Sequence, residues 1–184
     1  RGRGGLSSLS RRAGEGWGEG GTVENSKPAT IGTIMSKVAT EIFKAYDIRG
    51  IVDKSLTDET VELIGKALGT EAKRRGGTTI TIGYDGRLSG PRFAKALASG
   101  IQSTGMNVIN IGMVVTPMVY FGAFHFNTES GVMITGSHNP PDYNGIKMVI
   151  QGETLALDKI QALLRGINAD DFETGAGTYE ERSL

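Results

Sequence analysis

The chain has 184 residues, 38% of them hydrophobic and 22% charged, and its 20 basic and 20 acidic side chains give a formal net charge of +0. That length can bury the core of one domain, and the balanced charge supplies no bulk attraction to nucleic acid or to an anionic membrane. Cysteine is absent, which excludes disulfides, thiolate nucleophiles and Cys-ligated zinc. Only 2 histidines argue against a His-rich metal site, and no apolar run is long enough to span a bilayer.

Residues 1–34 form a first region of distinct composition. Eight of the 28 glycines fall in the first 21 residues, mixed with Arg, Ser and Glu. Neither helical nor strand periodicity is present, so a disordered leader is expected. There is no secretory apolar segment, and Glu15, Glu19 and Glu24 argue against a transit peptide, so a cytoplasmic location is expected. Met35 opens a segment of different character and is a candidate natural start. Gly16–Gly21 matches G-x-G-x-x-G, but with no strand before it and no helix after it the match reads as low complexity.

From Thr40 the pattern alternates between helix and strand. Val61, Ile64, Leu68 and Ala72 predict a helix over 58–75, with Thr57 as its N-cap and Gly76-Gly77 as its stop. Residues 79–83 alternate as a strand. Phe93, Leu97 and Ile101 predict a helix over 91–103 with Pro91 in its first turn. A strand follows at 107–111, then a helix at 116–126 capped by Thr116, with Pro117 next. Strands are predicted at 131–135 and 145–150, the two too close for a helical crossover and therefore antiparallel. Ile160, Leu163 and Leu164 mark a last helix over 157–167. Residues 171–184, polar and with Gly175 and Gly177, read as a linker toward a second domain. The fold class is α/β: a three-layer α/β/α sandwich around a mixed, mostly parallel sheet over residues 35–170.

In such sheets ligands sit beyond the carboxyl ends of strands, which directs attention to two loops. The stretch Thr-Gly-Ser-His-Asn-Pro-Pro-Asp-Tyr-Asn-Gly at 135–145 holds a hydroxyl, an imidazole and several turn formers directly after a strand. It is either a plain Pro/Asn turn or a loop presenting Ser137 as nucleophile, with His138 and Lys147 stabilising negative charge. No G-x-S-x-G elbow and no G-x-x-x-x-G-K-[ST] loop occurs, which sets aside a serine hydrolase and a P-loop. The loop at 83–91 precedes a helix, where Arg87 would meet an anion or simply belong to a turn. In 43–50, Tyr46 and Arg49 suit a sugar phosphate, or an ordinary strand with a surface Arg.

Taken in order, FKAYDIRG (43–50), IGYDGRLSGP (82–91) and TGSHNPPDYNGIK (135–147) resemble the first domain of the α-D-phosphohexomutases, close to the bacterial phosphomannomutase/phosphoglucomutase group. The resemblance covers residues 40–170. It implies interconversion of hexose 1-phosphates and 6-phosphates through a hexose 1,6-bisphosphate. Ser137 would be the phosphoserine, its phosphate a ligand of Mg²⁺. His138, Asn139, Lys147 and Arg49 would surround it, Lys147 and Arg49 serving proton transfer or charge stabilisation, and Tyr46, Arg49, Asn139 and Lys147 would face the substrate. The family usually has Arg where Tyr84 stands. Its remaining domains, with the Asp-rich metal loop and the sugar and phosphate grips, have no counterpart in this sequence, so the chain alone is expected to be inactive and to expose an apolar interface. The partners implied are hexose phosphates and those remaining domains, with no nucleic acid and no membrane. A non-catalytic phosphoacceptor or sugar-phosphate-binding module remains open as the alternative.

Overall fold

The computed structural model describes residues 36–184. The Gly-rich leader, its G-x-G-x-x-G match and the candidate start at Met35 lie outside the described residues.

A single 3₁₀ turn (Thr40–Ile42) leads into β1 (Ile48–Ile51), followed by α1 (Asp58–Arg74), β2 (Thr79–Tyr84), α2 (Gly90–Gln102), β3 (Asn107–Met113) and α3 (Thr116–His125). Then come β4 (Gly131–Ile134), β5 (Tyr143–Ile150), β6 (Glu153–Thr154), α4 (Asp158–Ala169) and β7 (Tyr179–Glu181). α1 starts where the sequence predicts: the Thr57 hydroxyl accepts from the Thr60 amide at 3.2 Å, which satisfies one of the first-turn donors. α3 starts differently. Thr116 is its first helical residue, and the extended Val115 precedes it without a side-chain cap.

The strands form one sheet in the order β1-β5-β4-β2-β3-β7, with β6 on β5. β4, β2, β3 and β7 run parallel, whereas β1, β5 and β6 join antiparallel, so the sheet is mixed with its parallel half on one side. The predicted antiparallel pair is β4 with β5, in register Met133↔Lys147. The tail read as linker is partly built into the fold: Gly175 and Gly177 lie against the α2–β3 turn, their amides donating to the Ser103 and Gln102 carbonyls at 2.9 Å, and β7 extends the sheet edge.

Three helices cover one face. α1, α2 and α4 bury Ile64, Leu68, Phe93, Leu97 and Ile160 against Ile48, Ile82, Ile146 and Met148. α1 and α2 cross at Gly65 and Gly100: a Cβ on Gly100 would collide with the Glu62 carbonyl oxygen, and one on Gly65 with that of Leu97. Among the described residues only α3 lies on the other face, over a small cluster of Ile109, Ile111, Val119 and Met133. Among the described residues every fully buried side-chain nitrogen and oxygen has a hydrogen-bond partner, and no helix is long and apolar enough to cross a membrane.

Candidate active site

β2 and β4 are neighbours, but the chain leaves them in opposite directions, from β2 toward β3 and from β4 toward β5. The carboxyl ends of two such strands leave a crevice between them, where α/β sheets take ligands. Both loops singled out in the sequence sit there, and the structure ties them together. The Asp85 carboxylate accepts from the Thr135 hydroxyl at 2.8 Å and from the Gly136 amide at 3.1 Å, and Thr135 in turn accepts from the Ser137 amide at 2.9 Å. Arg87 lies beneath the loop. Its guanidinium donates to four carbonyls: Pro140 at 2.6 Å, Asn139 at 2.7 Å, Tyr143 at 2.8 Å and Ser137 at 3.2 Å. Charge-assisted bonds of this kind are about twice as strong as neutral ones. Of the two roles the sequence left open for Arg87, the structure shows the turn role: its side chain is 15% exposed, its NH groups hold backbone oxygens, and the anion it meets within the chain is the Asp85 carboxylate, 3.6 Å from Nε. The clamp also explains Gly136, since a Cβ there would overlap the Arg87 guanidinium.

Ser137 stands on this clamped loop with φ +52°. That left-handed conformation is uncommon for a residue with a Cβ and persists only where surrounding bonds fix it. Its Oγ lies 3.4 Å from His138 Nδ1. Ser137 and Asn139 line an open cavity of about 820 Å³, together with Asp142, Asp53 and Arg92.

The cations come from β1 and β5. Arg49 lies opposite Gly145, and Lys147 is two residues further along the same face, so both point away from the three-helix core that holds Ile48, Ile146 and Met148. A residue not singled out in the sequence joins them. Asp47 is buried, and its Oδ2 accepts from Arg49 at 2.7 Å and from Lys147 at 3.3 Å. Arg49 also reaches Asn139 Oδ1 at 3.4 Å, linking the cations to the serine loop. Asp47 stands in the bend just before β1, two residues from Arg49, but its second partner is 100 residues away. Asp85 was missed similarly; it lies inside the second motif, and its role depends on a loop 50 residues later.

Of the predicted site residues, the structure brings Ser137, His138 and Asn139 together on one loop and Arg49 and Lys147 together beside it. Tyr46 is 71% exposed on the approach to β1. Tyr84 turns away from the serine loop: it packs on the main core and lines a separate cavity with Lys95 and Tyr179.

The residues around Ser137 do not make a magnesium site by themselves. Mg²⁺ prefers an octahedral shell of oxygens, and among the described residues no cluster of three or more His, Asp or Glu could hold a metal. The nearby carboxylates of Asp85 and Asp47 are already bound to the loop and to the cations. Ser137 offers a single oxygen.

The family model for the phosphoglucomutase/phosphomannomutase alpha/beta/alpha domain I matches residues 40–174, which include all three motifs. The chain belongs to this family. It is 56% identical over 152 residues to the phosphoglucomutase of Neisseria meningitidis serogroup B, a match covering 82% of this chain and 33% of that protein. It is 51% identical over 140 residues to the phosphomannomutase/phosphoglucomutase of Pseudomonas aeruginosa, covering 76% and 30%. A solved phosphoglucomutase/phosphomannomutase family protein from Burkholderia thailandensis superposes with a TM-score of 0.76 at 44% identity, over 79% of this chain and 34% of that one. The chain thus spans about a third of the length of the relatives it matches. In this domain I the clamped loop and the cation group sit on one side of the sheet's carboxyl edge, and β7 follows the matched residues as an added edge strand.

Proposed function

We propose that this chain is the phosphoryl-carrying domain of a phosphohexomutase that interconverts hexose 1-phosphates and 6-phosphates through a bound 1,6-bisphosphate. The observation that carries the reading is Ser137 itself: a serine held at positive φ by the Asp85–Arg87 clamp, next to an Arg49–Asp47–Lys147 group. Family membership supports it, as do the names of the relatives.

In the first half-reaction the phosphoryl group on Ser137 passes to the free hydroxyl of a hexose monophosphate. The Oγ–P bond breaks, the sugar O–P bond forms, and the sugar hydroxyl proton replaces the phosphoryl group on Oγ in net balance. In this reading His138, whose Nδ1 lies 3.4 Å from the serine Oγ, hands that proton to the serine oxygen. After the bisphosphate reorients, the reverse transfer returns the other phosphoryl group to Ser137. Phosphoryl transfer depends mainly on charge neutralisation and alignment. Arg49 and Lys147 outnumber Asp47, so the group retains one net positive charge toward an incoming phosphate. Asn139 and Tyr46 supply hydrogen-bonding and apolar surface to the sugar. Magnesium ligation through the Ser137 phosphate needs oxygens from outside this chain, and no step above depends on it.

The test is incubation of the uninterrupted enzyme with hexose 1,6-bisphosphate carrying labelled phosphate, followed by peptide mapping. Label on Ser137 and loss of both label and mutase flux in Ser137→Ala support the reading. Full flux in Ser137→Ala overturns it.

A further inference from the structure

On the far side of β2 from the serine loop lies a second cavity, of about 750 Å³, between α2 and residues 175–181. Cavities of that size, with aromatic walls and a few placed polar groups, are where small molecules bind. It is separate from the mutase site. Tyr84 lines it and packs on the three-helix core, whereas the next residue, Asp85, anchors the serine loop. No step of the phosphoryl transfer uses a residue of this cavity.

Two phenol rings form its walls, and both are fixed. The Tyr179 hydroxyl accepts from Asn110 Nδ2 at 2.8 Å and donates to Glu181 Oε1 at 3.1 Å. With that hydroxyl committed, what Tyr179 offers a ligand is the face of its ring. Tyr84 lies over the start of α2, where a Cβ on Gly90 would stand 2.9 Å from its Cδ2, so the missing side chain makes room for the ring. Polar groups come from α2. Lys95, Ser99 and Gln102 stand at i, i+4 and i+7, one stripe of the helix. Lys95 is exposed and forms no ion pair and no hydrogen bond among the described residues. Gln102 Nε2 donates to the Gly177 carbonyl at 3.1 Å, which leaves its amide oxygen as an acceptor. From β7, Glu181 gives one carboxylate oxygen to Tyr179 and keeps the other.

We propose that this cavity binds an aromatic α-amino acid as its zwitterion. The ligand ring stacks on Tyr179 and Tyr84, its carboxylate meets Lys95, and its ammonium meets Glu181. The charge pattern carries the choice. One free cation on the α2 wall and one carboxylate on the β7 wall match a ligand bearing one charge of each sign. A sugar phosphate would bring nearly two negative charges to a single ammonium, with Glu181 opposing it. Because the rings are held before a ligand arrives, stacking on them costs little ordering entropy.

The experiment is calorimetric titration of the uninterrupted protein with L-tryptophan, with tryptamine and indole-3-propionate as analogues lacking the carboxylate and the ammonium. The expected result is saturable binding of tryptophan with Kd below about 1 mM, and of each analogue about tenfold more weakly. Lys95→Ala should weaken tryptophan about tenfold and bring it level with tryptamine, while Arg165→Ala, on α4, should change nothing. Tyr179→Leu should weaken all three ligands, since it removes a stacking face. Mutase flux measured without tryptophan should be the same in Lys95→Ala as in wild type. Absence of saturation below about 1 mM overturns the proposal. So does unchanged affinity in Lys95→Ala, or displacement of tryptophan by glucose 6-phosphate, which would place it in the Ser137 cleft. If Tyr179→Leu does not fold, Lys95→Ala, a change at an exposed position, decides alone. Phosphoryl labelling of Ser137 is scored on the same samples, so a failed mutase reading and a failed amino-acid site give different results.

Discussion

The two faces of the sheet are built to different ends. On one, α1, α2 and α4 close over a large core and two helices touch through glycines, leaving no room to move. On the other, α3 covers β2 and β4 with a small cluster, and the uncovered part of β1 and β5 carries Arg49 and Lys147, bridged by Asp47 from the bend before β1. The contrast separates stability from chemistry: damage to the first face should unfold the domain, and damage to the second should silence it while folded.

Ser137→Ala is the largest break. It should lower phosphoryl transfer in the uninterrupted enzyme by at least about a thousandfold, with a melting temperature close to wild type, read by coupled assay and calorimetry. Gly100→Ala should do the opposite. Its Cβ meets the Glu62 carbonyl oxygen, backbone that cannot swing aside, and denaturant unfolding should show a loss of about 3 kcal/mol. Arg87→Lys tests the boundary between the two faces. Lysine keeps the charge but not the fork that reaches four carbonyls, so stability should fall by about 2 kcal/mol and proteolysis within 136–143 should quicken. Asp47→Asn should leave folding nearly intact and reduce kcat/KM by about tenfold, because Arg49 and Lys147 lose the oxygen that sets their spacing. Its effect should shrink with added salt less than that of an exposed charge, since Asp47 is buried.

The smallest effect lies on the closed side. Arg74 bonds Asp171 at 2.7 Å and holds its carboxyl below the ordinary 3.8. A carboxylate lowered on folding favours the folded state at pH values above that ordinary value, and the contribution disappears as pH falls through the lowered one. Asp171→Asn should therefore melt slightly below wild type at neutral pH, and the two curves should converge in strong acid. The pair lies at the surface, so the gap should be small.

The closed face was the more legible in the sequence, because its signal is local. Val61, Ile64, Leu68, Phe93, Leu97 and Ile101 repeat at helical spacing, and all are buried. β7 gave no such signal: its three residues are all exposed, and it exists only because β3 offers an edge. The start of α3 misled for a related reason. Thr116 followed by Pro117 fits a cap pattern, but the extended Val115 places the boundary one residue earlier. In the site, the hydroxyl, the imidazole and the turn formers of 135–145 could be picked out by eye, and so could two of the cations. Arg87 could not be assigned, since a basic residue ahead of a helix looks the same whether it meets an anion or a ring of carbonyls. Asp47 was hidden by distance along the chain.

The positive φ of Ser137 has a consequence for which residues can do its work. Threonine carries the same hydroxyl, but β-branching crowds the backbone in the left-handed region, where Asn and Asp are tolerated. The backbone therefore discriminates between two alcohols of nearly equal reactivity before any substrate arrives. A carboxylate in place of Ser137 would sit comfortably as a fixed negative charge, whereas the chemically conservative threonine would be pushed out of line.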